Sequence, residues 1–68
     1  MECKIAKRIF EMRKEFGFSQ QTLAKKIGVT QKAIDFWEKG VNEPKASYIL
    51  KLSLVFKVSP SYLLGIED

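Results

Sequence analysis

The chain has 68 residues and a formal net charge of +4 at pH 7, with one Cys and no His. Zinc sites built from Cys and His, histidine-based catalytic pairs and an internal disulfide are therefore excluded. No apolar run approaches the roughly 20 residues of a membrane span, and no signal peptide is visible. The lone cysteine, Cys3, is typical of a cytosolic protein, and the short length predicts one domain over residues 1–68.

The excess of cations lies in the first part of the chain. Residues 40–68 carry three charges of each sign, so the whole net charge comes from residues 1–39. This distribution suits a polyanionic partner such as nucleic acid, but the charge is modest and does not identify one.

The first helix is predicted over residues 3–16, with Gly17 ending it. Its apolar side chains recur at the spacing of one helical face, which is typical of an amphipathic helix. These side chains are Ile5, Ile9, Met12 and Phe16. Phe10 lies off this face and is either an exposed aromatic residue or a contact to another chain.

Two short helices joined by a tight turn are predicted in the middle of the chain. Ser19 is a good N-cap for the second helix, and Gly28 follows its last apolar residue, where glycine adopts a left-handed backbone at least cost. The buried residues of the second helix are predicted to be Leu23, Ala24 and Ile27. Thr30 caps the third helix, which is predicted over residues 31–39, and Gly40 ends it.

The third helix has two distinct faces when its residues are placed about 100° apart. Its core face is predicted to carry Ala33, Ile34 and Trp37. Its outward face carries Gln31, Lys32, Asp35, Phe36 and Lys39. A DNA major groove accepts one α-helix, and long polar residues near the helix N-terminus reach base edges. Periodicity alone also fits a plain pair of helices with a solvated outer face.

The fourth helix is predicted over residues 45–56, because Pro44 favours a helix start. Its inward stripe is predicted to be Ala46, Ile49, Leu50, Ser53 and Phe56. Three further apolar residues, Tyr48, Leu52 and Leu54, widen its apolar surface, which the first helix, the fifth helix or a second subunit would cover.

The chain ends in a short fifth helix. Ser59 and Pro60 provide an N-cap and a first-turn proline, Leu63 is predicted to be core, and Gly65 stops the helix.

The middle of the chain fills a long, spaced pattern, S-Q-x-x-L-A-x-x-I-G-V-T-x-x-x-I-x-x-W-E-x-G. The residues that fill it are Ser19, Gln20, Leu23, Ala24, Ile27, Gly28, Val29, Thr30, Ile34, Trp37, Glu38 and Gly40. This pattern closely resembles the helix-turn-helix of the lambda-repressor/Cro-like family, also called XRE-like, and the similarity extends from about Ile5 to Gly65. The resemblance implies an all-α fold, a compact five-helix lambda-repressor-like bundle with the helix-turn-helix at its second and third helices.

The resemblance implies a sequence-specific regulator of transcription that inserts the third helix into the major groove of double-stranded DNA. Gln20 would bridge to a phosphate and to Gln31, while Gln31, Lys32 and Phe36 would face base edges. Asp35 would accept from cytosine or repel phosphate. The residues expected to contact DNA are Gln20, Gln21, Thr30, Gln31, Lys32, Asp35, Phe36, Lys39, Asn42 and Lys45. No cofactor, metal or small-molecule ligand is expected.

Three further features follow from the resemblance. Relatives often have Gly or Asn at the position of Lys57, in the turn before the fifth helix, so we expect the backbone there to be slightly strained. Relatives commonly pair an arginine and a glutamate at the positions of Arg13 and Glu38, which would lock the first helix to the third; the alternative is two independent surface charges. The loop at residues 41–43 lacks the Lys or Arg that relatives often place there, so we expect it to bind phosphate weakly.

Self-association is expected because one small module reads few base pairs. The predicted partner DNA is a palindromic operator bound by a homodimer. The chain ends directly after the fifth helix, so the dimer is expected to use the domain's own surface, with Tyr62, Leu64 and Ile66 as candidate contacts. The alternative is that Leu64 folds inward and the tail is disordered.

A second function class is a protein-interaction module in the same fold, such as an antitoxin or the target of a phage anti-repressor. The aromatic residues Phe10, Phe36 and Tyr48 and the weak loop at 41–43 favour it. An enzyme is not expected, because the sequence has no titratable cluster, metal-ligand set or phosphate loop.

Overall fold

Five α-helices account for most of the chain in the computed structural model, which describes residues 4–67. They are α1, Lys4–Glu15; α2, Gln20–Ile27; α3, Gln31–Lys39; α4, Ala46–Phe56; and α5, Pro60–Leu63. Between residues 4 and 67 there is no strand, so the predicted all-α, five-helix architecture is confirmed. Cys3, the predicted start of the first helix, lies outside the described residues. Phe16 and Lys45, predicted as helical, lie just outside α1 and α4.

Local side-chain caps determine where three helices begin. The hydroxyl of Ser19 accepts a hydrogen bond from the backbone N–H of Thr22, and Thr30 accepts from Ala33. Ser59 caps α5 in the same way. Each bond satisfies a backbone donor that the first helical turn leaves unpaired. These caps confirm the three predicted starts and fix the short connections around α2 and α3.

The tight turn between α2 and α3 depends on Gly28. Its backbone is left-handed, with φ of 87°, and its N–H bonds to the carbonyl of Ala24. Glycine adopts this conformation without steric cost. The turn joins the end of α2 to the start of α3, and half-buried Val29 packs against the core at the junction.

The core draws on all five helices. Its fully buried large side chains are Ile9, Leu23, Ile27, Ile34, Leu52, Phe56 and Leu63. Phe16 was expected on the buried face of α1, but it lies just after the helix and is 37% exposed, with its ring edge-on to that of Phe56 at 5.6 Å between centroids. The last buried residue of α1 is a charged one, Arg13, which directly follows Met12.

The predicted inward stripe of α4 is wrong in two positions. Leu50 is 55% exposed and Ala46 is exposed, whereas Leu52 is fully buried. The buried face follows residues 49, 52, 53 and 56, since α4 packs against α1, α2 and α5 along that arc. Leu54 is 77% exposed. A helix that is apolar on most sides does not reveal from sequence which arc faces the core.

No helix within the described part of the chain is long and apolar enough to cross a membrane.

Lys57 ends α4 in a left-handed conformation, with φ of 58° and ψ of 41°. Among residues 4–67 it is the only non-glycine residue with a positive φ. In this conformation the Cβ atom approaches the following backbone, at a cost of about 1–2 kcal/mol. The predicted strain at this turn therefore has a structural basis.

Replacing Lys57 by Gly is expected to raise the free energy of unfolding by about 0.5–1 kcal/mol, because glycine has no Cβ to strain the left-handed backbone. Lys57→Ala is the matched control, since it removes the same charged side chain but keeps Cβ. Urea unfolding measures both variants. Equal stability of the Gly and Ala variants would contradict the assigned strain.

Candidate nucleic-acid interface

The outward face of α3 is polar and accessible. Gln31, Lys32 and Lys39 are exposed, and Asp35 and Phe36 are half-buried. On the opposite side, the side chains of Ile34 and Trp37 are buried in the core. The helix is thus anchored by one face while the other carries hydrogen-bonding and charged groups, as its sequence pattern predicts.

Gln20, the first residue of α2, lies at the centre of a polar network on this surface. Its Nε2 donates to Asp35 Oδ1 at 3.3 Å and to Glu38 Oε1 at 3.2 Å. Its Oε1 accepts from Gln31 Nε2 at 3.5 Å. The expected bridge between Gln20 and Gln31 is therefore present, and it leaves the Gln31 carbonyl oxygen and one N–H available for a base edge.

Asp35 forms an ion pair with Lys39 one helical turn later. Asp35 Oδ2 lies 2.9 Å from Lys39 Nζ, and 32% of the aspartate side chain is exposed. The hydrogen bond from Lys39, with a smaller contribution from that of Gln20, lowers the pKa of the Asp35 carboxyl below its usual value. Both carboxylate oxygens thus have partners within the protein, which the sequence did not indicate.

The aromatic residue on the outward face is not isolated. Phe36 is half-buried, and Lys32 Nζ lies 5.5 Å from the centroid of its ring. This distance allows a cation–π contact, which keeps the ammonium group beside an apolar surface. Together the two side chains place a positive charge next to an aromatic ring on the outward face of α3.

The other predicted DNA contacts lie around this face. Gln21, Asn42 and Lys45 are exposed, and Lys45 precedes α4 without a side-chain cap. Thr30 is exposed, and its hydroxyl caps α3. Val41 is 62% exposed, so the loop at residues 41–43 offers an apolar side chain where a cation would bind phosphate.

Arg13 and Glu38 join α1 to α3 through a bidentate ion pair. Arg13 Nε donates to Glu38 Oε2 at 2.6 Å, and Nη2 donates to Oε1 at 3.1 Å. Only 10% and 6% of the two side chains are exposed. Arg13 Nη1 also donates to the carbonyl of Phe18 at 2.9 Å, which ties the segment entering α2 to α1. A paired, hydrogen-bonded geometry of this kind fixes orientation as well as charge.

Glu38→Ala is expected to lower the free energy of unfolding by about 3 kcal/mol, because Arg13 would keep a buried, unpaired charge. Glu11→Ala, an exposed residue on α1, is the control. The double variant Arg13→Met, Glu38→Leu should lose less than Glu38→Ala, since it buries no charge. Thermal and chemical unfolding measure all three. A loss under about 0.5 kcal/mol for Glu38→Ala would place the pair among weak surface contacts.

The candidate self-association residues lie on the C-terminal segment. Leu64 is 44% exposed and Ile66 is 76% exposed, whereas Leu63 is fully buried. Tyr62 is half-buried. Leu64 therefore does not fold into the core, and the segment presents two neighbouring apolar side chains to solvent.

Arg8 holds this segment against α1, a role that sequence reasoning did not find. Its Nη1 donates to the carbonyl of Tyr62 at 2.7 Å and to the carbonyl of Glu67 at 2.6 Å. Its guanidinium lies 4.1 Å from the centroid of the Tyr62 ring. Gly65 allows the C-terminal segment to pass close to Lys4, because a Cβ at this position would lie 2.5 Å from Lys4 Cδ. No local signal marks these contacts, since more than 50 residues separate the partners.

The family model that matches the chain is HTH_3, a helix-turn-helix family, over residues 9–63. The chain is 31% identical over 64 residues to the HTH-type transcriptional regulator ImmR of Bacillus subtilis, covering 94% of this chain and 50% of ImmR. The chain spans about half or less of the length of the first curated relatives that it matches.

Two solved structures with DNA have the same fold. The P22 c2 repressor in complex with a synthetic operator aligns with a TM-score of 0.87 and 36% identity, over 93% of this chain and 96% of that one. SinR of Bacillus subtilis, described as a master regulator for biofilm formation and solved in complex with DNA, aligns with a TM-score of 0.81 and 36% identity. That alignment covers 88% of this chain and 97% of the SinR chain. The lambda-repressor-like fold predicted from the sequence is thereby confirmed.

Proposed function

Since the chain belongs to the helix-turn-helix family HTH_3, we propose that it is a sequence-specific regulator of transcription, of the repressor type, that inserts α3 into the major groove of DNA. The observation that carries this proposal is the polar, accessible face of α3, held outward by buried Ile34 and Trp37. The similarity of the chain to the P22 c2 repressor and to SinR, both solved in complex with DNA, supports DNA binding. Selection of bound sequences from a random DNA pool tests it directly; failure to enrich any sequence would oppose it.

The residues of the proposed interface form two groups with different roles. Gln31 and Lys32, at the N-terminus of α3, and Phe36, one turn later, would read base edges, because amides pair with adenine, cations with guanine and rings with the thymine methyl group. Gln20, Gln21, Thr30, Asn42 and Lys45 would position the domain on the phosphates, together with Lys39 and the helix N-termini.

Gln31→Ala is expected to relax base preference at one position of the selected site and to weaken binding to that site by about 1–3 kcal/mol. Lys39→Ala is the contrasting variant. It should weaken binding to all sequences alike and reduce the dependence of log affinity on log salt by about one. Fluorescence anisotropy with the selected site and a random duplex measures both. Equal losses on the two duplexes for Gln31→Ala would contradict its assignment to base reading.

We also propose that the protein binds a palindromic operator as a symmetric homodimer. Two copies double the contacts of a small module, and their half-sites would lie about one DNA turn apart. Leu64 and Ile66 supply exposed apolar surface near the chain end, and Arg8 bonds this segment to α1 beside Tyr62. Because the patch is small, association would be strengthened on DNA.

Leu64→Glu is expected to abolish cooperative binding to a palindromic site, since it places a charge in an apolar contact, while binding to a single half-site stays unchanged. Leu54→Glu is the matched control, because Leu54 is a more exposed leucine on α4. Sedimentation with and without the palindrome gives the stoichiometry. If only Leu54→Glu disrupts the dimer, the dimer contact lies on α4. If the wild-type protein binds a half-site and a palindrome equally well, dimerisation on DNA is contradicted.

The remaining features fit this proposal. A regulator of this kind acts on DNA in the cytoplasm and is not an enzyme.

The alternative function is an interaction module, such as an antitoxin or an anti-repressor target. It is supported by Phe10, which is 45% exposed, and by exposed Val41. Phe36 and Tyr48 are half-buried and contribute less to it. A steep loss of DNA affinity with salt favours the regulator, since apolar association responds little to salt.

A further inference from the structure

Asp35 lies among the side chains proposed to meet DNA, but both of its oxygens already bond to protein groups. Oδ2 accepts from the ammonium group of Lys39 at 2.9 Å, and Oδ1 accepts from Gln20 Nε2 at 3.3 Å. The aspartate side chain is 32% exposed and that of Lys39 is 65% exposed. The pair is therefore at the surface, where an approaching phosphate meets it.

Lys39 cannot bind a phosphate without a consequence for Asp35. A lysine ammonium group is attracted to the carboxylate and to a phosphate alike, and both are anions. When a phosphate approaches Lys39, the Asp35 carboxylate lies near it, and like charges repel across the weakly screened interface. A phosphate that binds Lys39 therefore replaces the existing ion pair with Asp35, whereas an unpaired lysine would have no partner to give up.

Gln20 is subject to the same constraint. Its Nε2 is shared between Asp35 and Glu38, and its Oε1 accepts from Gln31. Glu38 belongs to the buried pair with Arg13, so its bond is protected from solvent. The bond to Asp35 is therefore the one that exchanges when Gln20 turns toward a phosphate.

We propose that Asp35 competes with DNA phosphates for Lys39 and Gln20, and so lowers the affinity of this domain for DNA of any sequence. This inference rests on the proposed function. Binding to arbitrary sequences depends almost entirely on phosphate contacts. When these contacts are weaker, the affinity for a site depends more on the bases read by Gln31 and Lys32. Asp35 is thus a positioning residue that limits sequence-independent binding.

The test measures the affinity of wild type, Asp35→Asn, Lys39→Gln and the double variant for a labelled random duplex over a salt series. Asp35→Asn keeps an acceptor for Gln20 but removes the charge that holds Lys39. It is expected to tighten binding about three- to tenfold at low salt, and this gain should shrink as salt is added. In the Lys39→Gln background the same substitution should gain clearly less.

Glu15→Gln is the matched control, because it makes the same change in net charge at an exposed residue at the end of α1. Its effect should be clearly smaller than that of Asp35→Asn. An equal effect of the two substitutions, or an equal gain from Asp35→Asn with and without Lys39, overturns the competition. If wild type shows no salt-dependent affinity for DNA, the proposed function fails as well, which distinguishes the two failures.

A measurement on the wild-type protein makes the test independent of how the variants fold. The carboxyl carbon of Asp35 is followed by NMR while unlabelled random duplex is added. Exchange of Lys39 and Gln20 onto phosphates should shift this resonance, with the carboxyl groups of Glu11 and Glu15 on α1 as internal references. An Asp35 signal that moves no more than those references overturns the proposal.

Discussion

The buried ion pair between Arg13 and Glu38 is the interaction on which the arrangement of the other helices depends. It joins α1 to α3 through two hydrogen bonds, and Arg13 reaches the carbonyl of Phe18 with a third. Glu38 Oε1 accepts in addition from Gln20, the first residue of α2. This carboxylate of α3 thus contacts groups from two other helices, α1 and α2, and it holds α3 with its polar face outward. Among the described residues, no buried side-chain nitrogen or oxygen lacks a hydrogen-bond partner, so the charges are buried with their bonds complete.

The polar network continues from this pair to the surface. Gln20 links Glu38 to Asp35 and to Gln31, and Asp35 links onward to Lys39. The side chains proposed to meet DNA are therefore positioned by groups that lead back into the core. Such support restricts their rotamers before any ligand binds, which reduces the ordering that binding requires. If Asp35 acts as proposed, Gln20 and Lys39 would exchange these bonds for phosphate contacts on binding DNA.

The chain end is organised by a second cation. Arg8 bonds two carbonyls of the C-terminal segment and covers the ring of Tyr62, while Gly65 lets that segment pass close to Lys4. The side chain of Glu67 also contacts the hydroxyl of Ser59, which caps α5. Leu64 and Ile66 are thus carried on a segment that is bonded to α1, although nothing in their local sequence indicates these bonds.

The sequence by itself determined the helices, their caps and the outward face of α3, because these follow from interactions between residues a few positions apart. Ser19, Gly28 and Thr30 act within one turn of where they lie in the chain. The likeness to the family added the pairing of Arg13 with Glu38, which no local pattern contains. Only the tertiary structure decided which arc of α4 is buried, that Phe16 lies at the rim, and that Asp35 and Arg8 are already engaged. These outcomes depend on contacts between residues that are distant in the chain. The periodicity and charge of the residues involved are compatible with several packings, and the positions of the other helices select one of them.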